Sequence, residues 1–142
     1  MTTLRTYPGA CFCGAVRFEV DGDLSHGTMR CNCRFCRKMR YWEMRLPDPD
    51  GLRILSGAQA IAITPSQHPL GEGEAMQHAF CQSCGTRLWT KGNIAEMGGR
   101  VTLVFVPALE DVAIDELLAA PVHYANGAEN DWWHAPADTA HL

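Results

Sequence analysis

Cys81-Gln82-Ser83-Cys84-Gly85 sets two thiols three residues apart and follows the second with glycine. That spacing suits a metal ion better than a disulfide, because a tetrahedral zinc takes its ligands from short turns of this kind. Near the other end of the chain, Cys11-Phe12-Cys13-Gly14 repeats the arrangement. A knuckle turns sharply after its second ligand, and a residue free to take positive φ fits there without steric cost. The two stretches therefore read as matched knuckles that together close a four-cysteine structural site from Cys11, Cys13, Cys81 and Cys84. Three of the seven cysteines remain, in Cys31-Asn32-Cys33-Arg34-Phe35-Cys36, which is followed by Arg37 rather than glycine. Three thiolates are the ligand number of a zinc with one open position. The expectation is two Zn2+ per chain.

Other uses of the cysteines fit less well. Structural disulfides would strand one thiol of an odd number, and the N-terminal residues hold no apolar core of signal-peptide length. None of the spacings matches the usual ferredoxin runs, and Cys31, Cys33 and Cys36 lack a fourth cysteine for an iron–sulfur cluster. A third reading stays open on ligand count alone: both sites are structural, with a histidine or a partner chain completing the triad.

Working outward from the knuckles, the chain reads as mainly β. Residues 15–20 alternate, with Val16, Phe18 and Val20 facing inward and Arg17 and Glu19 outward. Asp21-Gly22-Asp23 reads as a turn. Residues 41–46 alternate again, with Trp42, Met44 and Leu46 inward, until Pro47-Asp48-Pro49-Asp50-Gly51 breaks the pattern. Short strands are expected over residues 52–55 and 58–64, and a loop over 65–74. Strands at 76–81 and 87–90 lead into and out of the third cysteine cluster. Residues 101–106 form the most apolar run and read as a central strand. Residues 111–119 can form a short helix with Ile114, Leu117 and Leu118 on one face, and residues 122–124 a last strand. Trp42, Trp132 and Trp133 read either as core aromatics or as walls of a pocket.

At 142 residues with 46% hydrophobic side chains, the chain has the length and apolar content of a single domain with a real core, spanning residues 1–142. No apolar run approaches the length needed to span a membrane, and free thiols suit a reducing cytoplasm. The formal charge is −4, and seven thiolates holding two divalent ions make it more negative still. That balance argues against general nucleic-acid binding. The distribution is uneven, however: Arg30, Arg34, Arg37, Lys38 and Arg40 are five of the twelve basic residues. They read either as a solvated face that offsets thiolate charge or as a rim drawing an anionic small molecule to the metal.

The run from Cys11-x-Cys13-Gly14 through Ala15-Val16-Arg17-Phe18-Glu19-Val20 resembles the glutathione-dependent formaldehyde-activating enzyme family, which includes centromere protein V. So do Cys31-x-Cys33-x-x-Cys36-Arg37-Lys38 and Phe80-Cys81-x-x-Cys84-Gly85-Thr86-x-Leu88, with Pro121-x-His123 and Trp132-Trp133 echoing the pattern further on. Three places depart from it: Asn32 stands where histidine is usual, Met39-Arg40-Tyr41 where small residues are usual, and Pro107-Ala108-Leu109-Glu110-Asp111 where a Gly-Thr-Leu-Asp-like turn is usual. The resemblance implies a β-tent of short antiparallel strands pinned by two zinc ions, with at most one or two short helices. It implies the same division of the cysteines, with Cys31, Cys33 and Cys36 catalytic. It also implies a carbon–sulfur lyase activity that joins or separates glutathione and formaldehyde.

The chemistry agrees with that implication. Three thiolates quench much of the metal's charge, so such a zinc favours a soft fourth ligand, an incoming thiol, over water. Binding deprotonates the thiol and leaves a sulfur nucleophile for a small aldehyde. Arg34 and Arg37 are the expected contacts to an anionic thiol. His123, in a family-like segment, is the expected proton donor. The competing reading is a zinc-stapled module that binds protein or, through the arginine-rich segment, nucleic acid, and the extra triad is what separates the two.

Overall fold

The computed structural model describes residues 4–66 and 75–142. Ten strands fall into two sheets among these residues, with two short helices. The smaller sheet has the order β1-β2-β5, from β1 (Arg5–Ala10), β2 (Arg17–Gly22) and β5 (Leu52–Ser56). The larger contains β3 (Thr28–Cys31), β4 (Glu43–Arg45), β6 (Ile61–Ser66), β7 (Met76–Cys81), β8 (Arg87–Ile94), β9 (Gly99–Phe105) and β10 (Val122–Ala125). Their order is β10-β3-β4-β9-β8-β7-β6. The expected apolar run forms β9, at the centre of the seven, with Val101, Leu103 and Val104 buried. Only β10 and β3 pair in parallel, in a register that sets Ala125 beside Cys31.

The main core fills the space between the sheets. Val16, Phe18 and Val20 point into it, as their alternation requires, and are at most 1% exposed. They meet Ala79, Leu88, Trp89 and Val104 from the larger sheet. The Phe18 and Trp89 rings meet edge to face with centroids 5.1 Å apart. Phe18 also lies over Gly9, where any Cβ would fall 2.3 Å from the ring, so only glycine lets β1 pass beneath it.

Several expectations are corrected. β2 continues through Asp21 and Gly22, and the turn begins at Asp23, whose carboxylate accepts from Ser25 N–H to start a 3-10 turn. Residues 58–60 are a 3-10 turn rather than strand. Pro65 and Ser66 belong to β6, not to a loop. β6 lies at the sheet edge, where proline's missing N–H leaves no ladder bond unmade; the rest of the expected loop, 67–74, lies outside the described residues. β1 was unforeseen, as was α1 (Arg34–Met39). The second helix, α2 (Ile114–Ala119), buries only part of its expected face. Leu117 packs on the core, whereas Ile114 and Leu118 are 72% and 79% exposed.

Truncating Phe18 to alanine removes the ring that joins the sheets and is expected to cost about 3–5 kcal/mol in denaturant unfolding. Phe12→Ala, at a side chain 92% exposed, should change stability by less than about 0.5 kcal/mol. Equal losses at the two positions would contradict this account of the core.

Candidate metal centres and the chamber beside them

The first knuckle is the turn between β1 and β2. Cys11 N–H donates to Val16 O and Gly14 N–H to Cys11 O, both at 3.1 Å. The turn between β7 and β8 repeats it, with Cys81 N–H on Thr86 O at 3.0 Å and Gly85 N–H on Cys81 O at 2.7 Å. Gly14 and Gly85 take φ of 79° and 82°, the region in which a Cβ is strained. The two hairpins, one from each sheet, bring Sγ of Cys11, Cys13, Cys81 and Cys84 within 4.8 Å of one another. Cys13 Sγ lies 3.6 Å from Cys11 Sγ and 3.8 Å from Cys81 Sγ. Sulfurs at the corners of a tetrahedron 2.3 Å from its centre stand ~3.8 Å apart, so these residues fit a closed metal site. The same separations are far beyond an S–S bond, and all seven cysteines are free.

Cys31 ends β3, Cys33 is the N-cap of α1, and Cys36 lies in its first turn. Cys33 N–H points at Cys31 Sγ and Cys36 N–H at Cys33 Sγ, both at 3.3 Å. The three sulfurs lie within 4.8 Å of one another, and no fourth cysteine, histidine or carboxylate among the described residues joins them at that distance. The thiols share protons unequally. Hydrogen bonds from Cys31 and Cys36 pull the Cys33 thiol far down, and through the same contacts Cys31 is pushed up to about 11 and Cys36 higher still. Three thiolates this close repel, and a bound cation relieves that repulsion.

Asn32, the departure between the first two triad cysteines, fastens this loop. Its side-chain amide donates to Asn126 Oδ1 at 2.8 Å, and its Oδ1 accepts from Ala128 N–H at 3.0 Å. Gly127 lies in that turn, where a Cβ would sit 2.4 Å from the Trp132 ring and 2.6 Å from Cys31 Sγ. Packing at Cys31 therefore also holds the segment that carries Trp132.

A chamber of 480 Å³ opens against all three triad cysteines. Of the tryptophans weighed from sequence, Trp132 and Trp133 wall it, whereas Trp42 packs on the main core and donates to Thr28 Oγ1 at 2.7 Å. His123 is exposed and also lines the chamber. Arg34 and Arg37 are exposed on α1 and do not line it. Arg37 borders a smaller depression with Arg30 and Arg40 that reaches Cys31 and Cys36. Arg30 stacks on Trp42, 4.8 Å from the ring centroid.

Two polar residues of the chamber were not foreseen. The alternation over residues 41–46 leaves Glu43 on the solvent face; that face is covered at Glu43, though Arg45 on the same face is exposed, and Glu43 is 5% exposed on the chamber side. Burial pushes its carboxyl up to about 7, partly offset by the Thr90 hydroxyl and reinforced by the nearby Cys33 sulfur. Its Oε2 has no hydrogen-bond partner. The one available signal was an acidic residue set within an apolar run. His78 sits between two hydroxyls, 2.6 Å from Ser66 Oγ and 2.8 Å from Thr90 Oγ1, and its ring lies 4.5 Å from that of Phe35. Burial, with Arg87 nearby, lowers its pKa to about 4, so the folded chain holds it neutral.

Residues 6–124 match the family model of the glutathione-dependent formaldehyde-activating enzyme. The chain belongs to that family. A Halomonas elongata protein that carries the provisional description of a glutathione-dependent formaldehyde-activating enzyme is 30% identical over 84 residues. That match covers 57% of this chain and 53% of the relative, so it reaches only about half the length of either. A crystal structure of a Rhodobacter sphaeroides protein, 27% identical, superposes with a TM-score of 0.62 over 82% of this chain and 99% of that one. The mainly β class expected for the family is the one observed.

The two centres should respond differently to loss of a ligand. Cys84→Ala opens the site that ties the sheets and is expected to give unfolded or insoluble protein, because structural metal supplies folding energy. Cys33→Ala should stay folded by circular dichroism and lose about one metal ion per chain in elemental analysis. Equal damage would make the triad structural.

His78 supplies a test in acid. Its lowered pKa means the unfolded chain takes up a proton below about 6.5 while the folded chain resists until about 4. Its contribution is present above pH 6.5 and is lost as pH falls toward 4, by about 3 kcal/mol. His78→Gln should flatten the pH dependence of unfolding in that window. Parallel curves for the two proteins would show that His78 is not responsible.

Proposed function

We propose that this chain forms and cleaves the adduct between a thiol and an aldehyde, a carbon–sulfur lyase-type reaction, at the open side of Cys31, Cys33 and Cys36. The observation that carries the reading is the convergence of three sulfurs on the wall of a chamber, with no fourth ligating side chain among the described residues joining them. A purely structural site would be closed by four. A zinc ion held there would supply a soft position at which an incoming thiol gives up its proton.

The protein's own groups do the remaining work. In the forward direction the thiol sulfur bonds the aldehyde carbon, and the carbonyl π pair moves onto oxygen. Glu43, on the same lining as the cysteines, gives that oxygen a proton and regains one from the proton the thiol sheds. Cleavage runs these steps backward, and neither oxidant nor reductant is consumed. His123 stands at the rim as a substrate contact. Arg34 and Arg37 raise the local concentration of an anionic thiol, an effect that salt weakens. The family description points to glutathione and formaldehyde as the first pair to test. Seven free thiols suit a reducing cytoplasm. No helix among the described residues is long and apolar enough to cross a membrane.

Because the adduct also forms unaided, the assay is exchange at equilibrium. Two-dimensional exchange NMR on glutathione, formaldehyde and their adduct should show exchange accelerated by the wild-type protein and reduced to the buffer rate by Cys33→Ser. Glu43→Gln should lower the rate about 10²-fold, the usual worth of a positioned proton donor, and should flatten its pH dependence while leaving thiol affinity intact. Exchange at the buffer rate with wild-type protein, across several thiols and aldehydes, would contradict the lyase reading in favour of a metal-stapled binding module.

A further inference from the structure

The chamber is larger and more apolar than formaldehyde requires. Its 480 Å³ falls within the range of sites that enclose whole small molecules. Met29, Phe35, Met76, Met97, Leu103 and Trp133 supply much of its wall. No arginine or lysine is among its described lining residues, and its carboxyl side chains are Glu43 and Glu96. Such a space offers the carboxylates of an anionic thiol no arginine or lysine partner among its described lining residues and favours hydrocarbon. The basic groups lie elsewhere: Arg30, Arg37 and Arg40 border Cys31 and Cys36 from the separate small depression. The triad therefore has two unlike surroundings, apolar on one side and cationic on the other. Trp133, at 56% exposure, and the exposed His123 bring the apolar side out to solvent, so a ligand can enter.

We propose that the chamber holds the hydrocarbon part of an aldehyde substrate larger than formaldehyde, a straight-chain or aryl aldehyde. This inference rests on the lyase reading for its chemistry and on the chamber for its specificity. Bond changes are those already given, with the alkyl or aryl group replacing one hydrogen of formaldehyde.

The test has two arms. In the first, exchange rates are measured for the homologous series from acetaldehyde to heptanal, whose members differ little in intrinsic electrophilicity. In the second, binding of the matching primary alcohols, which cannot form the adduct, is read from Trp132 and Trp133 fluorescence. Each methylene buried is worth about 0.8 kcal/mol, so kcat/KM and alcohol affinity should each rise roughly three- to fourfold per methylene until the chamber is full. Met97→Trp, which fills the chamber from its wall, should move the optimum to shorter chains in both arms. A flat or falling profile for aldehydes that do react would overturn the proposal and leave the lyase reading standing. Alcohols that bind with the expected length dependence, beside aldehydes that never react, would overturn the lyase reading and with it the assignment of an aldehyde to the chamber. Alcohols that do not bind, or bind regardless of length, would overturn the chamber's role outright.

Discussion

Everything in this molecule hangs on one contact between two hairpins, the four sulfurs of Cys11, Cys13, Cys81 and Cys84. Each hairpin belongs to a different sheet, so an ion held there would be a cross-link between sheets rather than a staple within one. The Phe18–Trp89 contact crosses the same gap, and the two fixtures act in parallel. Hydrophobic burial sets the spacing of the sheets, while the knuckles fix which strand ends meet. A chain with strands of three to eight residues has few long ladders to define register, and metal ligation would restore that definition because its binding energy is also folding energy.

The second centre is built on a different principle. Its ligands lie on β3 and α1, close together in the chain, so no distant hairpin is needed to complete it. What it borrows from afar is its surroundings. β10 runs parallel to β3 and ends beside Cys31, Asn32 ties the loop to the following turn, and Gly127 lets Trp132 close against Cys31. The sulfurs therefore form one wall of a chamber whose other walls come from β4, β7, β8 and the segment after β10. The proposed lyase activity would need this separation: a rigid closed site that holds the fold, and an incompletely ligated one set where a substrate can reach it.

Much of this was legible in the sequence because cysteine spacing and glycine placement are local signals. Gly14 and Gly85 mark positive φ, and the pairing of the two knuckles follows from them. Val16, Phe18 and Val20 were legible for the same reason, since alternation reports a strand with one dry face. Glu43 was not. The rule that sends alternate residues to solvent fails where the second face of a strand borders a chamber, and only tertiary structure shows that β4 is covered on that face at Glu43 while Arg45 stays exposed. His78 went unremarked because its partners Ser66 and Thr90 come from neighbouring strands. α1 lacks an apolar period and owes its start to the Cys33 cap. Ile114 and Leu118 misled in the opposite sense: helical spacing says which residues share a face, not whether a six-residue helix lies flat enough to bury it.

The central claim is that one centre is closed by four sulfurs and the other is held by three with a place for a thiol. X-ray absorption at the metal edge tests it most directly, recorded on protein purified without added metal, before and after a saturating thiol. Two zinc ions per chain should give an average of 3.5 sulfurs and 0.5 lighter atoms per metal. The thiol should raise the sulfur number to four in wild-type protein and leave it unchanged in Cys33→Ala. A first shell of four protein ligands at both metals, indifferent to any thiol, would contradict the account.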